Sequence, residues 1–317
     1  MELYKVNITP LSLFKDYPSS YTIFGAISWG YSLLYGEEKL KSVLNQFSNN
    51  NPPFLLSSIF PKKENKYYFP KPNLEAKREE KSEIDYKKLK KISYVDFEIL
   101  KKVLDGQIKN ELQLNKELDK KIENEDKVYL YSKDSIPHAS IDRLYSTTEG
   151  SGGLFFEEVI ALNEAYFLIA VKDESIKKEL KNIFNLLQDI GLGGNRSIGY
   201  GKVIFGNFEK FNKLENYFNN KTEKFITLSP VIPEPNTYDL SESYYNYYTF
   251  RGAIDNNYGF KKVDIWKDKV IYLKEGSTLK VKNPKEIYGQ FYKAKEINET
   301  PIYQYGLAFP LYIQGGN

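Results

Sequence analysis

An α+β fold in two domains is predicted by three features: a glycine-rich stretch between a helical and a strand pattern, alternating strand and helix patterns before it, and a strand-rich last third. At 317 residues the chain is long enough for two domains with ample core.

Leu3 to Ile8 alternates as a short strand, and Pro10, Pro18 and the pair Ser19-Ser20 mark a loop after it. From Thr22, residues Ile23, Ile27 and Leu34 share one helical face; the pattern breaks at Gly36, resumes through Leu40, Leu44 and Phe47, and ends at Asn49 to Pro53. Residues 54–136 read as an insertion: Phe54 to Ser58 is apolar, Lys62 to Pro72 loop-like, and Lys77 to Lys127 dense in Lys and Glu. Ile92, Val95, Ile99 and Val103 recur there at near-helical spacing, which fits either a solvated helical insertion or a partner-docking segment. Ile136 to Arg143 and the Ser/Thr/Gly run Ser146 to Gly153 read as the two sides of an extended hairpin or as a mobile loop. Leu154 to Leu162 and Ala165 to Val171 are expected to pair as a hairpin turning at Asn163-Glu164.

Ile176, Leu180, Ile183, Phe184, Leu187 and Ile190 then make one helical stripe, and Gly191 stands where a C-capping glycine belongs. Gly191 to Gly201 has five glycines in eleven residues, and the strand pattern Lys202 to Phe208 follows it. Such a loop either closes a tight corner or turns backbone N–H groups toward an anion, with Arg196 for charge and Asn195 and Ser197 for hydrogen bonds. It is not a nucleotide-binding P-loop, which follows a strand, opens a helix and ends in Gly-Lys-Ser/Thr.

Strand, helix, insertion, strand, strand, helix, strand is the order of a ferredoxin-like (RRM-like) domain, expected over residues 1–210. A linker-like polar stretch reaches Lys224. A second, degenerate ferredoxin-like domain is expected over residues 222–317, from the strand patterns Phe225 to Leu228, Tyr244 to Ile254, Val263 to Trp266, Lys269 to Leu273, Thr278 to Val281 and Tyr305 to Pro310. Asn283 to Phe291 is its one candidate helix.

Composition narrows the chemistry. A net charge of +3 excludes a uniformly basic coat but not a basic groove. The absence of cysteine removes disulfides and thiolate catalysis, and the single histidine, His138, leaves little for a zinc site, so no metal or cofactor is expected. The first residues lack a signal-peptide core and no stretch is long enough to span a bilayer, so a soluble cytoplasmic protein with no membrane partner is expected.

The glycine stretch, Gly191-Leu192-Gly193-Gly194-Asn195-Arg196-Ser197-Ile198-Gly199-Tyr200-Gly201, resembles the loop between last helix and last strand in the RAMP (repeat-associated mysterious protein) superfamily of CRISPR systems. Pro10-Leu11-Ser12 with Tyr21 to Ile27, Ser140-Ile141-Asp142-Arg143, and Tyr305-Gly306-Leu307-Ala308-Phe309-Pro310 narrow it to the fourth Csm subunits of type III-A effectors, in the fifth-Cas-family group. The likeness runs end to end except for the charged insertion, which stays open as a solvated, docking or RNA-flanking segment.

The resemblance implies a subunit without catalysis that holds the repeat-derived 5′ tag of the CRISPR RNA, caps the base of the complex, and docks the large polymerase-like subunit and a backbone RAMP subunit. It implies that Gly191, Gly193, Gly194, Asn195, Arg196, Ser197, Gly199, Tyr200 and Gly201 clamp RNA backbone. Ile141 and Arg143 are expected on a hairpin beside the RNA, and His138 is expected to stack on a base or to be structural. Ser19, Ser20 and Tyr21 lie where a helix N-terminus favours phosphate. Arg251 is read as a packed surface arginine or an RNA contact. Two rivals remain: a metal-free repeat-cleaving endoribonuclease with His138 as general base, Tyr145 nearby and a lysine holding charge, or a protein-only scaffold.

Overall fold

The computed structural model describes residues 1–77, 89–122, 128–141, 148, 153–254, 265–297 and 299–315. The first part of the chain carries β1 (Glu2–Pro10), α1 (Ser20–Ser48), β2 (Phe54–Lys63), β3 (Lys66–Pro70), β4 (Tyr94–Asp96), α2 (Phe97–Leu104), α3 (Glu111–Ile122), β5 (Tyr131–Ala139), β6 (Leu154–Leu162), β7 (Ala165–Val171), α4 (Glu174–Ile190), β8 (Val203–Phe205) and β9 (Glu209–Lys210). The remainder carries α5 (Asn212–Asn219), β10 (Lys224–Thr227), β11 (Tyr247–Phe250), β12 (Val270–Leu273), β13 (Thr278–Lys280), β14 (Gly289–Ile297), β15 (Thr300–Leu307) and β16 (Pro310–Tyr312).

A central sheet runs in the order β4-β3-β2-β7-β1-β8, with β9 also on β1 and every pairing antiparallel. β7, Ala-Tyr-Phe-Leu-Ile-Ala-Val, is buried at all seven positions, as a strand covered on both faces must be apolar throughout. α1 and α4 lie against each other so closely that a Cβ on Gly30 would stand 2.4 Å from Ile183 Cγ2, so any larger residue forces Ile183 or the helices to shift. α4 starts where the Asp173 side chain accepts from Ile176 N at 3.0 Å. It buries Ile176, Leu180, Ile183, Phe184 and Leu187, the stripe expected from spacing. Within α1, Gly36 leaves helical geometry at φ 82°, the break visible in the sequence.

The expected insertion at 54–136 is corrected, because β2 and β3 are strands of the central sheet. Phe54 to Pro61 is buried without a gap, so β2 lacks the alternation that marks a half-exposed strand. Its two serines are inside: at a bulge between Leu56 and Ile59, Ser57 Oγ accepts from Leu168 N at 2.8 Å. Of the four residues at near-helical spacing, only Ile99 and Val103 lie on α2, while Val95 is in β4.

The expected 154–162/165–171 hairpin is also corrected. β6 pairs with β5 from Tyr131↔Leu162 to Ala139↔Leu154, whereas β7 turns away between β1 and β2. The β5-β6 ribbon is a separate sheet, tied to the body by reciprocal bonds between Phe14 and Ile160 of 2.8 and 2.7 Å. Two further corrections lie downstream. The linker-like stretch holds α5, which buries Leu214, Tyr217 and Phe218, and Asn283 to Phe291 forms no helix but leads into β14.

The second half builds three small sheets, β13-β10-β16, β11-β12 and β14-β15. Part of its core joins that of the first half: Tyr305 stacks on Phe24 at 5.0 Å and its hydroxyl accepts from Leu56 N at 3.0 Å. Fully burying a ring of this kind stabilises by roughly 1.5–3 kcal/mol.

Candidate nucleic-acid interface

The glycine loop leaves α4 and returns to β8 through a neck of backbone hydrogen bonds. Gly191 N donates to Leu187 O, Leu192 N to Gly201 O, and Gly201 N to Leu13 O, each at 2.8 Å. Lys202 N donates to Ser12 Oγ at 2.8 Å, which joins the neck to the segment before α1. At Gly201, φ is 73° and a Cβ would sit 2.0 Å from Leu192 O, so the fold itself requires this glycine.

The tip is different. Asn195 adopts φ 58°, Arg196 to Ile198 makes one 3₁₀ turn, and Gly199 takes φ 94° with nothing within 4 Å of an added Cβ. Gly193 has only Thr22 Cγ2, at 3.9 Å, and Gly194 has Lys15 Cδ at 3.5 Å. The loop therefore lies over the N-terminus of α1 beside Lys15, with Ser197 exposed and Arg196 and Tyr200 half-buried.

The start of α1 has an unusual cap. Ser19 is the N-cap but makes no capping bond with its side chain, and no acidic residue occupies the first turn. Ser19 and Ser20 are buried, and the Ser20 hydroxyl has no hydrogen-bond partner, while the Ser19 hydroxyl faces that of Tyr21. Unopposed first-turn N–H groups carry the positive end of the helix dipole. Tyr21 is placed differently: its ring lies 4.5 Å from Phe250 and 5.2 Å from Tyr272, where burial holds its hydroxyl above the ordinary tyrosine range.

The β5-β6 ribbon forms the other wall. His138 on β5 faces Phe155 on β6 and stacks on it at 5.3 Å with 16° between the planes. Leu154, Phe155 and Phe156 are 64%, 49% and 65% exposed, and Ile141 beyond β5 is 63% exposed. Arg143, Asp142 and Tyr145 lie outside the described residues. Ribbon and loop enclose a cleft of about 720 Å³ lined by Lys15, His138, Phe155, Phe156, Asn195 and Ile198, among others.

Glu157 lines this cleft with Asp16 and Glu158, and only 18% of its side chain is exposed. Its Oε1 accepts from Asn195 Nδ2 at 2.7 Å and lies 3.8 Å from Lys15 Nζ. Its Oε2 accepts from the Tyr200 hydroxyl at 3.4 Å and stands 3.2 Å from His138 Nε2, a contact short enough for an ion pair but not aligned as a hydrogen bond. Partial desolvation, then the Glu157 carboxylate, hold the Tyr200 hydroxyl above its ordinary range. The structure thus brings together Asn195, Tyr200 and His138, and sets Gly193 near Thr22 in the first turn of α1 and Gly194 near Lys15. Arg251 is elsewhere, with its guanidinium 5.8 Å from the Trp266 ring and Nε donating to Lys267 O at 3.0 Å.

Sequence reasoning missed Glu157, Lys15, Phe155 and Phe156. One signal was available for the aromatics: Leu154-Phe155-Phe156 directly follows a polar Ser/Gly run, where three adjacent large apolar residues are out of place on a surface. Among the described residues, no group of three or more metal-ligating side chains converges, and no helix is long and apolar enough to cross a membrane.

A family model of the RAMP superfamily matches residues 19–204, which include the helix start, the ribbon and the glycine loop. The chain is 30% identical to the CRISPR system Cms protein Csm4 of Methanocaldococcus jannaschii, over 82% of this chain and 78% of that protein. It is 26% identical to the protein of the same name from Thermococcus onnurineus, over 62% of this chain and 65% of that one. A chain in a crystal structure of a Csm3-Csm4 subcomplex of the type III-A CRISPR-Cas interference complex superposes with a TM-score of 0.61 at 23% identity, over 97% of this chain and 98% of that one. A chain of a Csm1-Csm4 cassette in complex with cA4 gives 0.60 at 20% identity, over all of both chains. The chain belongs to the RAMP superfamily. Within it, the resemblance is to Csm4, the fourth Csm subunit of type III-A CRISPR systems.

Proposed function

We propose that this chain is a non-catalytic, CRISPR-RNA-binding subunit of a type III-A Csm complex. It holds the repeat-derived 5′ tag, caps the base of the complex, and docks a polymerase-like subunit and a backbone RAMP subunit. The pairing of Csm4 with Csm1 and with Csm3 in the similar solved structures supports the two protein contacts. In the same reading residues 1–210 form one ferredoxin-like unit, supported by the order β2-β7-β1-β8 with α1 and α4. Residues 222–317 form a strand-rich, degenerate second one.

The observation that carries the RNA reading is the convergence of three features on one end of the fold: an open glycine tip, a helix start with no acidic residue in its first turn and an unpartnered Ser20 hydroxyl, and a ribbon with exposed aromatic rings. N–H groups and Lys15 suit phosphates, and exposed rings suit unstacked bases. Gly194→Val tests it, because that glycine is exposed and its φ is not left-handed, so the fold tolerates a side chain there. RNA loading is expected to collapse while thermal stability holds; loading at the wild-type level reduces the tip to a turn.

A second reading, metal-free RNA cleavage, draws support from the His138–Glu157 contact, since an imidazole beside a carboxylate is a common acid–base pair. His138→Ala complexes loaded with equal RNA separate the two. The binding reading expects unchanged cleavage of repeat RNA, and a large fall in rate selects the enzyme.

A further inference from the structure

Carboxylates are the wrong charge for a cleft that takes RNA backbone, yet Asp16, Glu157 and Glu158 line this one beside Lys15 and Lys133, and of the three Glu157 is the one bonded across from ribbon to loop, with 18% of its side chain exposed. Four groups surround it, His138 Nε2 at 3.2 Å among them, but most hold it loosely. A carboxylate offers about four acceptor positions, and here one bond, from Asn195 at 2.7 Å, is short, while Tyr200 stands at 3.4 Å and Lys15 at 3.8 Å. His138 Nε2, facing it, is buried without an aligned partner. The lining beside these groups includes flat or apolar side chains, the His138–Phe155 stack, Phe156 and Ile198, among the charged Lys133, Asp16 and Glu158. At about 720 Å³ the space exceeds that of a single base.

From this juxtaposition we propose that Glu157 is a base-reading residue that selects a guanine, seated against the aromatic wall, by accepting hydrogen bonds from its Watson–Crick edge. The inference rests on the RNA-binding reading above and adds to it a sequence preference. Guanine presents an N1–H and an N2 amino group side by side, matching the two oxygens of a carboxylate. Adenine and cytosine each present one amino group beside an acceptor. Uracil presents one N–H between two carbonyls, which a carboxylate repels. The expected order is therefore guanine first and uracil last. The bland alternative is that Glu157 only clips the glycine loop to the ribbon through Asn195 and Tyr200.

Glu157→Gln separates the two, because its amide oxygen keeps an acceptor for Asn195 while one carboxylate oxygen becomes a donor. The full-length chain is titrated with an oligouridylate and with the same RNA carrying one guanosine at successive positions. Wild type is expected to bind best with guanosine at one position, by about tenfold or more over the all-uridine RNA. Glu157→Gln is expected to lose that preference while binding the all-uridine RNA at least as tightly as wild type. Glu157→Asp, which keeps both oxygens, retains a preference for guanosine and guards against a folding defect in the glutamine variant. Wild-type binding that is flat across positions, or a preference that survives in Glu157→Gln, overturns the base-reading role and leaves RNA binding standing. Failure of wild type to bind any of these RNAs overturns both.

Discussion

β6 and β7 follow one another with only Asn163 and Glu164 between them, and both are rich in large apolar residues, yet their fates are opposite. β7 is buried at every position in the middle of the central sheet, while Leu154, Phe155 and Phe156 at the start of β6 stand out on the ribbon. The same contrast recurs in the glycine loop, where Gly201 at the neck has no room for a Cβ and Gly199 at the tip meets nothing. In both pairs the buried member serves the fold. The exposed members differ in kind: Gly199 is glycine because of its φ of 94°, whereas nothing inside the fold calls for Leu154 and Phe156 on the surface.

The comparison breaks most visibly in β7. Phe167, fully buried and edge-on to Phe184 at 5.6 Å, is expected to lose about 3–5 kcal/mol of stability as Phe167→Ala, measured by urea unfolding. A loss below about 1 kcal/mol counts against a tightly packed centre. Next, Phe156→Ala on the ribbon is expected to leave stability within about 0.5 kcal/mol of wild type and to weaken RNA binding by about 1–3 kcal/mol, the worth of a stacking platform. Lost stability with intact RNA affinity reverses the assignment of that side chain. Between the two glycines, Gly201→Ala is expected to cost more than about 1 kcal/mol, since the backbone must shift at φ 73°, and Gly199→Ala less, since it adds strain without a clash. Equal melting temperatures for the two variants erase the distinction between neck and tip. The smallest effect is on salt dependence. Arg196→Ala is expected to reduce the slope of log affinity against log salt by roughly 0.7, one single-strand phosphate contact, and an unchanged slope removes Arg196 from the backbone contacts.

The site was legible in part. The glycine loop was conspicuous because five glycines in eleven residues have no use in regular structure, and the helix break at Gly36 was conspicuous for the same reason. Glu157 was invisible, because a glutamate in a charged chain carries no local mark; its meaning comes from Asn195 and Tyr200, 38 and 43 residues away. Lys15 was hidden likewise, as one lysine in a loop, until the glycine tip was found folded over it.

Local pattern by itself determined the stripe of α4, the run of α1 and β1, because one-sided burial writes itself into spacing, and the existence of β7 and β10, because strands buried on both faces read as short apolar runs. It did not determine partners. That β2 belongs to the central sheet, that β6 pairs backward with β5 and that α5 fills the supposed linker were decided by tertiary contacts, which choose among strands and helices of similar composition. The physical reason is range: spacing records which face of an element is buried, whereas pairing and clefts depend on residues brought together from distant parts of the chain.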